Sequence, residues 1–138
     1  MTKSLLIAMA ALVTLPALAG WTAIHQEQTS AGSVTTYIDW DTLRVKGNSR
    51  RVWTLVDRQL STSGEPLSLR SLREFDCQEE RIRTWQSESF VTRMAAGRPT
   101  SSSSGEPSNW TFIAPNTVGD GLLRAACSFV PLTADRPL

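Results

Sequence analysis

Cys77 and Cys127 are the only cysteines in the 138-residue chain. Oxidised, they allow a single intramolecular pairing, and that one bond ties the end of the sequence back to its middle. Closing a loop of about 50 residues is worth roughly 4 kcal/mol in the chain-entropy model, a third or more of the stability of a small domain. Two other readings of the pair are weaker. No Cys-x-x-Cys spacing marks a redox couple, and His25, the sole histidine, supplies too few partners for a zinc site.

The redox environment of the pair follows from the N-terminus. Met1-Thr2-Lys3-Ser4 carries one basic side chain, Leu5 to Leu15 is almost wholly apolar, and Ala17-Leu18-Ala19 puts small residues at the end of that run. This order is that of a secretory signal peptide, residues 1–19, with cleavage expected between Ala19 and Gly20. The apolar run is shorter than the roughly 20 residues a membrane-spanning helix needs. Gly20 and Trp21, which follow, offer no cysteine for a lipid anchor. The mature chain is therefore expected to be soluble and exported, without a transmembrane segment, into a compartment where a disulfide is the default.

Processing leaves 119 residues, 20–138, which is one domain's worth. It removes Lys3 alone among the charges, so thirteen basic residues face thirteen acidic ones. Duplex binding depends on a basic stripe that releases counterions, and a chain of zero net charge has no excess to supply it. Nucleic acid is excluded as a partner on this ground, and an anionic membrane surface is disfavoured by the same argument.

Alternation of apolar and polar residues predicts strands. Trp21 to Gln26 opens the domain, with Trp21, Ala23 and His25 on one side. Ser33 to Ile38 follows and is expected to end near Asp39, where Asp39-Trp40-Asp41-Thr42 has turn chemistry. Leu43 to Val45 and Arg51 to Gln59 flank Lys46-Gly47-Asn48-Ser49 and read as a hairpin, its second arm apolar on both sides and so central. Leu67 to Cys77 is a strand with Leu67, Leu69, Phe75 and Cys77 on one face. Arg81 to Val91 is another, with Arg81, Arg83 and Trp85 on one side and Ile82 and Phe90 on the other. Ser61 to Pro66 and Gly97 to Asn109 have loop composition, the latter reading as exposed and mobile, and Trp110 to Ile113 is a short strand. Val118 to Cys127 repeats apolar residues at helical spacing behind Thr117 and Asp120, a capping-box variant. The fold class is α+β: a single small domain, an antiparallel sheet of five to six strands packed on one C-terminal helix, with one disulfide.

Chemistry is hard to place on this chain. Any Ser-His or Cys-His scheme must use His25 as its base, no G-x-S-x-G elbow exists, and the cysteines are assigned to each other. Asp39 with Asp41, and Asp76 with Glu79 and Glu80, read as solvated turns, without the spacing of a calcium loop. No metal site and no catalytic site is expected, and the chain is read as non-enzymatic. Haem held by His25 and Met94 has no supporting motif. Five tryptophans, at 21, 40, 53, 85 and 110, are the one compositional hint of binding, because aromatic residues and Arg anchor protein interfaces. The plainer reading is that they fill the core of a small sheet. Trp40, in a polar turn, and Trp85, beside Arg81 and Arg83, are the ones expected at the surface, which makes Trp40, Arg81, Arg83 and Trp85 the binding candidates.

Taken in order, Tyr37-Ile38-Asp39-x-x-Thr42-Leu43, Gly47-Asn48, Arg51-Val52-Trp53-Thr54-Leu55, Phe75-Asp76-Cys77, Met94-x-x-Gly97, Trp110-x-x-Ile113-x-Pro115 and a helix ending at Cys127 resemble the surface-adhesin protein E family of Gram-negative bacteria. The resemblance runs from about Trp21 to Phe129. It implies a sheet of about six antiparallel strands, a helix-to-sheet disulfide, homodimerisation, and adhesion to host extracellular-matrix and plasma proteins, with haem as a secondary ligand. The sequence departs from the surface-displayed type in lacking a lipid-anchoring cysteine, and Ser61 to Leu69 has no basic pair to engage an acidic host protein. The sequence-level expectation is a protein-binding module in the periplasm or at the cell surface. The competing expectation is a periplasmic envelope factor, such as an inhibitor of a cell-wall enzyme.

Overall fold

The turn at Lys46-Gly47-Asn48-Ser49 is the tip of a long hairpin in the structure, a computed structural model that describes residues 20–60 and 66–129. Lys46 pairs directly with Ser49, leaving Gly47 and Asn48 to make the turn. Gly47 takes the positive φ of 53° that such a tight loop asks of a residue without a side chain. The arms are β2 (Gly32–Lys46) and β3 (Ser49–Leu60). β1 (Trp21–Thr29) pairs with β2, β4 (Ser68–Asp76) with β3, and β5 (Arg81–Phe90) with β4, all antiparallel and in chain order. Two short strands, β6 (Ser101–Ser104) and β7 (Thr111–Phe112), both pair with β5. One helix, α1 (Val118–Ser128), packs on the sheet. The class is α+β, as expected, with the count of strands raised to seven by the two short ones. The expected signal peptide and most of the Ser61 to Pro66 loop lie outside the described residues.

The helix chooses one face of the sheet. Leu122, Leu123 and Ala126 of α1 pack on Ile38, Leu43, Val52 and Phe75, and these residues form the buried cluster. The Cys77–Cys127 disulfide, with its Cα atoms 5.8 Å apart, joins the residue after β4 to the last turn of α1. The start of α1 is held by the expected cap: the Thr117 hydroxyl accepts from the Asp120 N–H, while the Asp120 carboxylate accepts from the N–H of Asn116. The reciprocal bond goes to Asn116, the residue before the cap, rather than to Thr117 itself.

Four local readings change, each for a reason of strand geometry. β2 does not stop at Asp39. The Asp39 side chain accepts from the Asp41 N–H, and the Thr42 hydroxyl donates to the Asp39 carbonyl and accepts from the Trp53 N–H, so the turn chemistry makes an irregularity inside a continuous strand. On β1 the register shifts between Ala23 and His25, which takes His25 off the side shared by Trp21 and Ala23 and sets it opposite Thr36. On β5 Thr84 pairs with Arg73 and Gln86 with Leu72, so Trp85 is an extra residue. Beyond it the alternation inverts, and Phe90 joins the side of Arg81, Arg83 and Trp85 instead of opposing them. Finally, the stretch 97–109, read as a mobile connection, contains β6. Four short serines there satisfy the outer hydrogen-bonding edge of β5, with Ser101 to Ser104 registered on Ser89 to Gln86.

Replacing both cysteines, Cys77→Ala with Cys127→Ala, is expected to lower the unfolding free energy of the mature chain by about 3–4 kcal/mol, read from urea midpoints. An unchanged midpoint would remove the disulfide from the account of stability.

Candidate functional site

Among the described residues no second helix covers the face of the sheet away from α1. Its upper part lies under a short 3-10 turn, Arg93–Ala95, pinned by the buried carboxylate of Asp57, which accepts from the Arg93 guanidinium and from the Met94 N–H. Met94 and Ala95 both take positive φ there, near 55° and 53°. Asp57 accepts the Met94 N–H and the buried Ser68 hydroxyl accepts the Ala95 N–H, and such acceptors are what this backbone needs to persist. Beneath the turn, Leu55 and Phe90 are fully buried. No described helix packs over the lower part of this face, and the sequence fills it with Arg, Trp and carboxylates.

Glu74 organises that lower part. It sits on β4 opposite Arg51 and Arg83, its residue only 4 % exposed. One carboxylate oxygen accepts from Arg83 Nε at 2.7 Å and from the Trp85 indole N–H at 2.6 Å, and the other accepts from the Ser49 hydroxyl at 2.5 Å. Burial alone would raise the Glu74 carboxyl; the bonds from Arg83, Ser49 and Trp85, with the charge of Arg83, outweigh it and hold the group below its ordinary value. The bulge on β5 is what allows this, because it lets Trp85 turn toward Glu74 on the same side as Arg83.

A stack grows from this anchor. The Arg51 guanidinium lies 4.0 Å from the Trp85 ring centre, Arg83 lies 5.1 Å from Trp85 and 4.4 Å from Trp110, and Arg81 lies 4.8 Å from Trp110. Three arginines and two tryptophans thus alternate, with Arg83 and Arg81 each paired to a carboxylate, Glu74 and Asp76. Arg70 repeats the pattern farther up: it is bonded to Glu88 and placed 5.2 Å from Trp53. All of these aromatic rings are half-buried. Asp76 is held below its ordinary value: burial opposes, but the N–H groups of Glu79 and Gln78 and the Arg81 side chain prevail.

Of the four candidates named from the sequence, the structure brings Arg81, Arg83 and Trp85 together in this stack. It leaves Trp40 on the other side, packed on the helix-side cluster with its ring 5.0 Å from that of Phe129 and nearly parallel. All five tryptophans are half-buried, and of them Trp40 packs against the helix-side core cluster. Sequence reasoning missed Glu74, Arg51, Trp110 and Trp53 as members. The period-two pattern of β4 carried Glu74 to the same side as Arg70 and Leu72, which was the available signal. The residues considered for other chemistry stay apart: His25 is exposed on the outer strand β1, whereas Met94 is tied to Asp57 of β3 on the opposite face. Among the described residues no group of three His, Cys, Asp or Glu side chains could hold a metal ion, and no helix is long and apolar enough to cross a membrane.

At the Arg81 end of the stack the β2–β3 and β4–β5 turns meet around an open pocket of about 420 Å³, walled by Lys46, Asn48, Gln78, Glu79, Arg81 and Trp110 among others.

The described residues form an antiparallel bulged sheet with a disulfide-clamped helix on one face and an Arg–Trp layer on the other. The sequence model for surface-adhesin protein E matches residues 21–128, and the chain belongs to that family. The crystal form II structure of Haemophilus influenzae protein E superposes with a TM-score of 0.58 at 11 % identity, over 88 % of this chain and 96 % of that one. Protein E from non-typeable Haemophilus influenzae gives a TM-score of 0.53 at 10 % identity, over 88 % and 82 %. At such identities the likeness is one of fold. No curated protein sequence matches the chain significantly.

Glu74→Gln is expected to destabilise the fold by about 3 kcal/mol near neutral pH, because it strands Arg83 without its charge partner. A carboxyl held low in the folded state contributes stability that is complete above its ordinary value of about 4.3 and is lost as pH falls through the lower, folded value. Wild-type stability should therefore drop on acidification below about pH 4, and the variant's acid limb should be shallower. Parallel acid limbs in urea titrations from neutral to acid pH would contradict this role.

Proposed function

We propose that this chain is an exported, non-enzymatic binding module that engages a protein partner through the helix-free face, with host extracellular-matrix or plasma proteins as the partner class. The observation that carries the reading is the half-exposed alternation of Arg51, Trp85, Arg83, Trp110 and Arg81. Trp and Arg are the residues that most often dominate binding energy, and here they are already ordered by one another and by Glu74 and Asp76, so little side-chain freedom remains to be lost on association. Membership of an adhesin family supports the same conclusion. The stack's guanidinium charges are largely answered within the face, which suits a partner recognised by shape and aromatic contact more than by bulk charge.

Export follows from the reading of residues 1–19, and the module then works in the periplasm or at the cell surface. Sequencing the N-terminus of the protein recovered from cells is expected to begin at Gly20; recovery of a chain beginning at Met1 would overturn this part of the proposal.

The binding face is tested by Trp85→Ala and Trp110→Ala against Arg124→Ala, a change at an exposed position on the far side of the molecule. On immobilised matrix and plasma proteins each Trp variant is expected to lose about thirtyfold in affinity, the weight of one hot-spot aromatic, while Arg124→Ala binds as wild type. Equal binding by all three, or an equal loss in all three, would contradict the assignment.

A further inference from the structure

We infer that the pocket at the Arg81 end of the stack is a saccharide-binding site, which shares Arg81 and Trp110 with the proposed protein-contact face and adds the two turns beside it. The two turns that carry its walls are tied to each other. The Cys77 N–H donates to the Asn48 carbonyl at 2.9 Å, the Asn48 amide donates to Gln78 Oε1 at 2.6 Å, and Asp76 accepts from the N–H groups of both Gln78 and Glu79. The disulfide joins Cys77, inside this turn, to α1. The two turns therefore form one unit, and a volume of about 420 Å³ lies within the ordinary range of small-ligand sites.

The chemistry of the walls selects the ligand. Asp76 and Arg81 satisfy each other, and the Ser49 hydroxyl is committed to Glu74. Among the described residues no hydrogen-bond partner reaches the Lys46 ammonium, Asn48 Oδ1, the Gln78 amide nitrogen, the Glu79 carboxylate or the Trp110 indole N–H, in contrast to the Trp85 indole, which Glu74 holds. Donors and acceptors are thus interspersed around one opening, and the charges cancel: Lys46 and Arg81 against Asp76 and Glu79. A phosphate or other anion would meet two carboxylates, and a cation would meet two cations. An apolar ligand would strip water from all five open polar groups without replacing their hydrogen bonds. A sugar hydroxyl is both donor and acceptor and carries no charge, so it matches this arrangement group by group. Trp110, its ring held between Arg81 and Arg83, is fixed at the edge of the opening.

An open pocket of this size should hold a single sugar weakly, with Kd on the order of 1 mM. The test is NMR titration of the folded, oxidised mature chain with the methyl glycosides of glucose, galactose, mannose, fucose and N-acetylglucosamine, each to about 50 mM, with inorganic phosphate in parallel. The expected result is saturable movement of the Trp110 indole N–H and of the Asn48 and Gln78 side-chain amides with at least one glycoside, the Trp85 indole staying still. Gln78→Ala and Glu79→Ala, both exposed turn positions outside the core, should each weaken that binding by about tenfold. No movement with any glycoside, equal movement with phosphate alone, or binding that survives both substitutions would overturn the assignment. Because these two positions lie outside the Arg–Trp stack, protein capture by the Trp85 region can succeed while this site fails, and the reverse.

Discussion

A carboxylate that water barely reaches has to be answered from within the protein, and the answer to Glu74 shapes the helix-free side of this molecule. Taking a carboxylate and a guanidinium out of water costs several kcal/mol each, a cost that only good geometry and further hydrogen bonds offset. Arg83, Trp85 and Ser49 supply those bonds. They come from two strands flanking β4, so the carboxylate also stitches β3 and β5 across it. Once Arg83 and Trp85 are fixed, Arg51, Trp110 and Arg81 have rings and guanidiniums to lie against, and the stack extends from the anchor toward the turns.

The two faces of the sheet are thus covered by different means. On one side, apolar burial by Leu122, Leu123 and Ala126 drives the packing, and the Cys77–Cys127 bond keeps a helix containing two glycines from separating. On the other, the turn Arg93–Ala95 covers the upper part, and over the lower part a layer one side chain thick does the covering and stays half in contact with solvent. The proposed function rests on that difference: a helix-covered face hides its large side chains, whereas in the proposal the stack of ordered Arg and Trp meets a partner already in position.

Much of the fold was legible in the sequence because strand alternation, turn residues and the cap of α1 are local signals. The hairpin at Gly47-Asn48, the face of Phe75 and Cys77, and the Thr117 cap follow from such signals alone. What escaped came from irregularity. A period-two reading puts Phe90 opposite Trp85, and the single extra residue at Trp85 reverses everything after it. The same happens at Ile24 on β1. β6 escaped because four serines have no apolar pattern, and only the open edge of β5 gives them a reason to extend. Of the site, Arg81, Arg83 and Trp85 were legible as neighbours on one strand. Trp110 was not, since its approach depends on how the chain returns to β5, and Trp40, half-buried as a turn residue, lies apart from the stack because its turn sits inside β2, on the helix side.

The account comes down to whether Glu74 and the rings it orders act as one unit. A double-mutant cycle of Glu74→Gln and Trp85→Phe, read from unfolding free energies of the oxidised mature protein, measures this directly. The account predicts a coupling of about 1–2 kcal/mol between the two positions, the weight of an indole bond to a buried carboxylate. Additive effects, with no coupling outside error, would mean that the Arg–Trp face is a set of independent surface side chains and would contradict the claim that it is built as a single surface.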